Sequence, residues 1–182
     1  MQFIKTNIPD VLIIEPQVFG DERGYFFESF NQKAFEEHVG KIDFVQDNES
    51  KSSKGVLRGL HFQKPPFTQA KLLRCIEGKV LDVAVDLRKE SPTYKKYVSV
   101  VLSGENKKQV FVPKGFAHGF LVLSETATIA YKVDEYYAPD YDSGIAWNDE
   151  DIAVDWGVCN DDVQLSVKDQ ELKPFSQISN PF

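Results

Sequence analysis

The chain carries three histidines, His38, His61 and His118, and their scarcity narrows where acid–base or metal chemistry can sit. His61 lies in Val56-Leu57-Arg58-Gly59-Leu60-His61-Phe62-Gln63, and Lys71 follows closely. Arg58, His61, Gln63 and Lys71 crowd into a stretch otherwise rich in apolar side chains, which favours a site over a lone hydrogen-bonded core histidine. On a regular strand Arg58 and His61 would face opposite ways, but Gly59 permits a bulge that re-aims them. His118 sits in Val112-Pro113-Lys114-Gly115-Phe116-Ala117-His118-Gly119-Phe120, a tight turn entering a strand. Taken alone it reads equally as a structural hydrogen-bonder or a ligand contact. His38 falls near the end of an early helical segment, where a cation suits the helix dipole, and reads as surface.

Elimination narrows the chemistry. No HxH occurs, and His61 and His118 are far apart in sequence, so no metal site is expected. There is no GxSxG elbow, no GxGxxG and no Walker sequence, which disfavours a nucleophilic hydrolase or a Rossmann oxidoreductase. General acid–base catalysis without a cofactor remains. Its candidates are His61 as base, Lys71 as cationic stabiliser and a tyrosine as acid. Tyr131, in Ala127-Thr128-Ile129-Ala130-Tyr131-Lys132-Val133, shares a strand face with Ala127, Ile129 and Val133, and on that face plain core is the commoner fate of a tyrosine. Asp82 and Asp86 share one face of Val80–Leu87, directed either into a barrel or to solvent.

The elements that must position these residues are mostly strands. Aromatics make up 13% of the 182 residues, with 14 Phe and 7 Tyr, and few long helical patterns accompany them. Strands are expected over Val11–Ile14, Tyr25–Phe30, Lys71–Ile76, Val80–Leu87, Tyr97–Leu102, Gln109–Val112, Gly119–Leu123 and Ala127–Val133. One helix is expected over Gln32–Val39, capped by Asn31 and ended by Gly40, with Phe35 and Val39 on its buried face. A second, short helix is expected over Asn148–Ile152, and the tail from Leu165 reads as loop and short helix. The expectation is one domain over residues 1–182, all-β, a double-stranded jelly-roll (cupin-like) barrel with a few short helices.

The net charge of −7 and the lack of a Lys/Arg run argue against a grip on nucleic acid. Cys75 and Cys159 form neither a zinc nor a disulfide pattern, and Cys75 reads as a small buried hydrophobe. The start of the chain lacks a signal-peptide pattern, and no apolar run approaches the ~20 residues that span a bilayer. No membrane partner and a cytoplasmic location are expected.

Together these motifs make the chain resemble the dTDP-4-dehydrorhamnose 3,5-epimerase family, cupin-like nucleotide-sugar epimerases of dTDP-rhamnose biosynthesis. The resemblance runs from about Pro16 to Asp169. It rests on Asp21-Glu22-Arg23-Gly24-Tyr25-Phe26 with Glu28, Gln46-Asp47-Asn48, Gly55-Val56-Leu57-Arg58-Gly59-Leu60-His61 and Gln69-Ala70-Lys71-Leu72. Further segments are Asp82–Arg88, Pro113–Phe120, Tyr136-Tyr137-Ala138-Pro139, Trp147-Asn148-Asp149 and Lys168-Asp169. The resemblance implies that His61 removes the protons at C3 and C5 of a dTDP-4-keto-6-deoxyhexose, with Asp169 as its partner carboxylate. Lys71 would stabilise the enolate oxygen at C4, and Tyr131 would return a proton from the opposite face. Arg23 and Arg58 would contact the diphosphate. Glu28, Gln46, Asp47 and Asn48 match positions at or near the nucleotide, His118, Asp142 and Lys168 match further substrate contacts, and Tyr137 matches a position near base or sugar. The resemblance also implies a homodimer whose partner completes the site, and no cofactor or metal.

Three departures stand out. Asp142 and Ser143 occupy places where the family often has glutamate and arginine, and Glu49 stands where histidine is common. The acid–base set is intact, whereas the fit to the nucleotide is where these changes would act. An enzyme that inverts C3 alone, or acts on another nucleotide sugar, would present nearly the same residues. A non-catalytic nucleotide-sugar binder would not need an opposed base and acid.

Overall fold

The computed structural model describes residues 1–159 and 162–182. Its strands, in chain order, are β1 (Gln2–Lys5), β2 (Leu12–Glu15), β3 (Val18–Asp21), β4 (Gly24–Phe27), β5 (Gln46–Ser53), β6 (Leu57–Gln63) and β7 (Lys71–Glu77). They continue with β8 (Lys79–Asp86), β9 (Tyr97–Ser103), β10 (Gln109–Val112), β11 (Phe116–Val122), β12 (Thr126–Val133) and β13 (Asp142–Gly144). Two antiparallel sheets face each other, one ordered β1-β2-β10-β7-β12-β5 and the other β13-β6-β11-β8-β9. β3 and β4 form a separate hairpin. This is the expected jelly roll.

Alternation explains the layers. In β9 Val98, Val100 and Leu102 point inward while Ser99 and Val101 face solvent. They meet Leu73, Cys75, Val110, Val112, Ala127 and Ile129 from the opposite sheet in the central core. Fully buried side chains of this size contribute about 1.5–3 kcal/mol each. β11 is buried on both faces because the C-terminal part of the chain covers the outside of its sheet. There Leu57, Val83, Val85 and Leu121 pack against Ile145, Trp147, Trp156 and Phe175. On the other outer face, α1 (Gln32–Val39) inserts Phe35 among Leu12, Ile14, Leu72 and Phe111.

The early helix forms as read. The Asn31 side chain accepts from the N–H of Ala34 at 3.0 Å, and Gly40 ends the helix at φ 101° with its N–H on the Glu36 carbonyl. No helix forms over Asn148–Ile152. The buried Asp149 carboxylate instead takes the N–H groups of Ile152 at 2.9 Å and Phe175 at 2.6 Å, holding the segment as turns against the C-terminal chain. Five strands lie outside the expected set. β1, β3 and β13 are three or four residues long, β5 is polar on both faces, and β6, weighed as a strand only for the facing of Arg58 and His61, is interrupted by Gly59. β4 stops at Phe27 rather than Phe30, and β11 begins at Phe116, before Gly119. The tail adds α2 (Val167–Gln170) and a single 3₁₀ turn over Phe175–Gln177. Among the described residues no helix is long and apolar enough to cross a membrane.

Candidate active site

The site begins with an irregularity in β6. His61 pairs with His118 of β11, but Arg58 pairs with Phe120, so three steps along β6 match two along β11. That extra residue brings Arg58 and His61 to the same cavity, as Gly59 allowed. Gly59 has φ 128°, and a Cβ there would lie 2.6 Å from the Gly119 Cα and 2.9 Å from the His118 carbonyl oxygen. Only glycine lets the two strands approach this closely.

Asp169 reaches His61 from α2. Ser166 caps this helix, its hydroxyl accepting from the Asp169 N–H at 3.1 Å and donating to Asp169 Oδ2 at 2.6 Å. Oδ1 of the same carboxylate lies 2.7 Å from His61 Nε2 and accepts from the Gly59 N–H at 3.3 Å. Burial alone would raise the Asp169 pKa. The hydrogen bonds from His61 and Ser166, aided by the His61 charge and the Gly59 N–H, outweigh burial and hold it below the usual value. The carboxylate therefore stays ionised and accepts from an N–H at His61 Nε2. Nδ1 is left as the basic nitrogen; it is buried and has no hydrogen-bond partner among the described residues.

A second histidine–carboxylate pair stands beside the first. His118 Nε2 lies 2.9 Å from Asp82 Oδ2, both buried, which answers for Asp82 the choice between barrel and solvent. Asp86, on the same strand face, is also buried but bound into the fold by Arg88, Ser91 and Thr93. Burial raises its pKa, these bonds lower it further, and it settles at about 2.

The facing sheet supplies Lys71 and Tyr131, and β13 and α2 supply Asp142 and Lys168. Lys71 opens β7 within the cavity, and Tyr131 projects from β12 opposite Asn48 of β5. Burial lowers the Lys71 pKa to about 8; the charges of Asp142 and Asp82 oppose that fall, while Lys168 adds to it. Burial raises the Tyr131 pKa, Arg58 works against this and Asp142 with it, so the phenol keeps its proton at neutral pH. Asp142 bonds the Lys168 ammonium and accepts from the Tyr137 hydroxyl at 3.1 Å. These groups, with Gln46 and Asn48, line one cavity of about 420 Å³.

A model described as dTDP-4-dehydrorhamnose 3,5-epimerase matches residues 5–177. The chain belongs to the dTDP-4-dehydrorhamnose 3,5-epimerase family. A dTDP-4-dehydrorhamnose 3,5-epimerase of Shigella flexneri is 61% identical over 161 residues, covering 88% of this chain and 89% of its own. The crystal structure of the same-named protein from Elizabethkingia anophelis superposes with TM-score 0.94 at 53% identity, covering 99% and 98% of the two chains. That of dTDP-6-deoxy-D-glucose-3,5-epimerase from Legionella pneumophila, in complex with dTDP-4-keto-L-rhamnose, gives TM-score 0.94 at 51% identity, covering 98% and 94%.

Of the residues singled out by resemblance to this epimerase family, His61, Lys71, Tyr131, Asp169, Gln46, Asn48, Arg58, His118, Asp142, Lys168 and Tyr137 all line the cavity. Three others do not. Arg23 is on the β3–β4 hairpin, solvent-exposed and bonded to Asp21. Glu28 is exposed and accepts from Asn31 at 3.0 Å. Asp47 alternates to the outer face of β5, where Lys132 pairs with it at 2.9 Å. His38 is the surface residue expected, stacked on Phe3 with ring centroids 4.1 Å apart. Sequence reasoning missed Ser166 as the group that orients Asp169, although Ser-x-x-Asp before a short helix is a capping pattern. It also left Gln63 and Gln69 without a role, though both line the cavity. Among the described residues, no three His, Cys, Asp or Glu side chains gather into a metal-binding cluster.

Proposed function

We propose that this chain inverts C3 and C5 of dTDP-4-keto-6-deoxy-D-glucose, a dTDP-4-dehydrorhamnose 3,5-epimerase activity carried out by acid–base chemistry alone. One observation carries the reading: His61 with Asp169 and Tyr131 with Lys71 line one cavity from opposite sheets. A base and an acid on opposite walls are what inversion of a carbon requires.

C3 and C5 both flank the C4 ketone, so their hydrogens are acidic. His61 Nδ1 takes the C–H proton, and the bonding electrons move onto the ketone oxygen. Asp169 stabilises the imidazolium that forms. The Lys71 ammonium stabilises the enolate oxygen, an interaction that strengthens only as charge develops and so lowers the barrier. Tyr131 then gives its proton to the carbon from the opposite side. Solvent exchange removes the proton from His61 and restores the one on Tyr131, and the cycle repeats at the second carbon. Only protons move, so the chemistry calls for neither a nicotinamide nor a metal.

Arg58 and Lys168 are the cavity cations suited to the diphosphate, with Gln46 and Asn48 toward the nucleoside. Arg23 and Glu28 fit this reading if the working form is a homodimer. The hairpin that carries Arg23 leaves Phe19, Tyr25 and Phe26 exposed by 55%, 60% and 70%. A second copy covering that apolar surface would carry Arg23 to its own cavity.

The test is incubation with dTDP-4-keto-6-deoxyglucose in D₂O, followed by NMR of the sugar. Deuterium at C3 and C5 with the L-lyxo product is expected. Label at C3 alone would make the enzyme a single-centre epimerase, and no label from folded protein would remove this substrate.

A further inference from the structure

Tyr137 stands at the rim of the cavity, 54% exposed, on a segment between β12 and β13. Little apolar burial holds it there, since Tyr136 is 63% exposed as well. Side-chain amides hold it instead. Gln63, buried at 4% exposure, donates through Nε2 to the Tyr136 carbonyl at 3.1 Å and to the Phe67 carbonyl at 2.7 Å. Its Oε1 accepts from the Ala138 N–H at 2.7 Å. One amide thus grips the main chain on both sides of Tyr137. The Tyr137 N–H itself goes to Gln46 Oε1 at 3.2 Å. Directly across the β6–β13 ladder from Gln63 is Asp142, which accepts from the Tyr137 hydroxyl at 3.1 Å. The two cross-strand neighbours hold one residue, Gln63 by its backbone and Asp142 by the tip of its ring.

We propose that Gln63 is a positioning residue of this enzyme. Through Tyr137 it shapes the entrance of the cavity, and it governs how tightly the nucleotide end of the substrate is held rather than how fast protons move. This rests on the epimerase reading above. The chemistry requires an amide at position 63, because two carbonyls need donors and one N–H needs an acceptor. A carboxylate supplies no donor, and a thioether supplies almost nothing.

The test compares wild type, Gln63→Met, Tyr137→Ala and the double variant, with thermal melting to confirm folding. Gln63→Met is expected to raise KM about tenfold with kcat within about threefold, the pattern of lost binding with intact chemistry. In the Tyr137→Ala background the same change should add less than about twofold, because the residue through which Gln63 acts is gone. If Gln63→Met does not accumulate folded, Gln63→Glu takes its place, since it keeps the acceptor for Ala138. A folded variant with unchanged KM, or additive effects in the double variant, would overturn the proposal, and a lowered melting temperature alone would mark Gln63 as purely structural. Calorimetric titration with dTDP, expected to weaken about fivefold in Gln63→Met, reads the same grip without turnover. Wild-type protein that binds dTDP but exchanges no deuterium would sink the epimerase reading and leave the Gln63 test standing.

Discussion

His61 and His118 are paired across adjacent strands, and each holds a carboxylate through Nε2, Asp169 at 2.7 Å and Asp82 at 2.9 Å. Their surroundings separate their roles. His61 is the partly accessible one, its side chain 25% exposed against 7% for His118. The Asp169 carboxylate is fixed by Ser166 and the Gly59 N–H, so it can orient His61 without turning away. His61→Ala should abolish deuterium exchange at C3 and C5 while melting as a folded protein. Asp169→Asn keeps an acceptor but loses the charge, and kcat should fall about 10²–10⁴-fold. Normal exchange in a folded His61→Ala protein would remove this histidine as the base.

Tyr131, the proposed acid, sits on the facing sheet with its pKa raised by burial, so the phenol keeps its proton. Removing only the hydroxyl separates the two half-reactions. Tyr131→Phe should retain exchange at the carbon that His61 deprotonates, yet lose net inversion by about 10²-fold or more. Measuring both from one NMR time course decides the matter. Equal losses of exchange and inversion would mean that Tyr131 assists the first proton transfer too.

With Lys71 as the proposed enolate stabiliser, activity and stability should depend on pH in opposite senses. Its pKa falls from 10.5 to about 8 in the folded chain, mainly through burial. Since only the ammonium stabilises an enolate, turnover should decline as pH rises through about 8. Between about 8 and 10.5 the unfolded chain binds the extra proton, so stability rises with pH across that window. Below it both states are protonated and the cost of burying the cation is present in full. Lys71→Met should therefore be inactive yet more stable at pH 7 by about 1–3 kcal/mol, a trade of stability for function that denaturant melts will read. A less stable Lys71→Met would show that the attraction of Asp82 and Asp142 exceeds the cost of burial.

Legibility in the sequence followed physical visibility. The β6 bulge was foreseeable because a glycine stood between two polar residues on an apolar strand. β5 was not, because Gln46, Asn48 and Ser50 face the cavity while Asp47, Glu49 and Lys51 face outward, which removes the apolar alternation by which strands are recognised. The polarity that hid the strand is what makes it part of the site. Asp149 misled in the other direction, since a short helical pattern yielded to a carboxylate serving the nearby Ile152 N–H and the sequence-distant Phe175 N–H together. Gln63 was visible only as one of a crowd, because its partners Tyr136 and Ala138 are brought to it by the return of the chain into β13.

Arg23 gives the last prediction, because its motif was legible and yet it does not line the cavity of its own chain. The hairpin holds it against Asp21 and away from the cavity, beside the exposed Phe19 and Phe26. If a second copy buries those rings and receives Arg23, the two kinds of variant must part company. Arg23→Ala should leave the dimer intact in light scattering and raise KM about tenfold or more, as loss of one charged contact to the diphosphate does. Phe26→Asp should push the protein to monomer and reduce turnover together with it, since each cavity would then lack its contributed arginine. Mixing Phe26→Asp with a His61→Ala protein separates the two functions: any recovered activity must come from cavities whose catalytic histidine and whose arginine belong to different chains. A monomeric Phe26→Asp enzyme with normal KM and kcat would instead confine the whole site to one chain and leave Arg23 a surface residue.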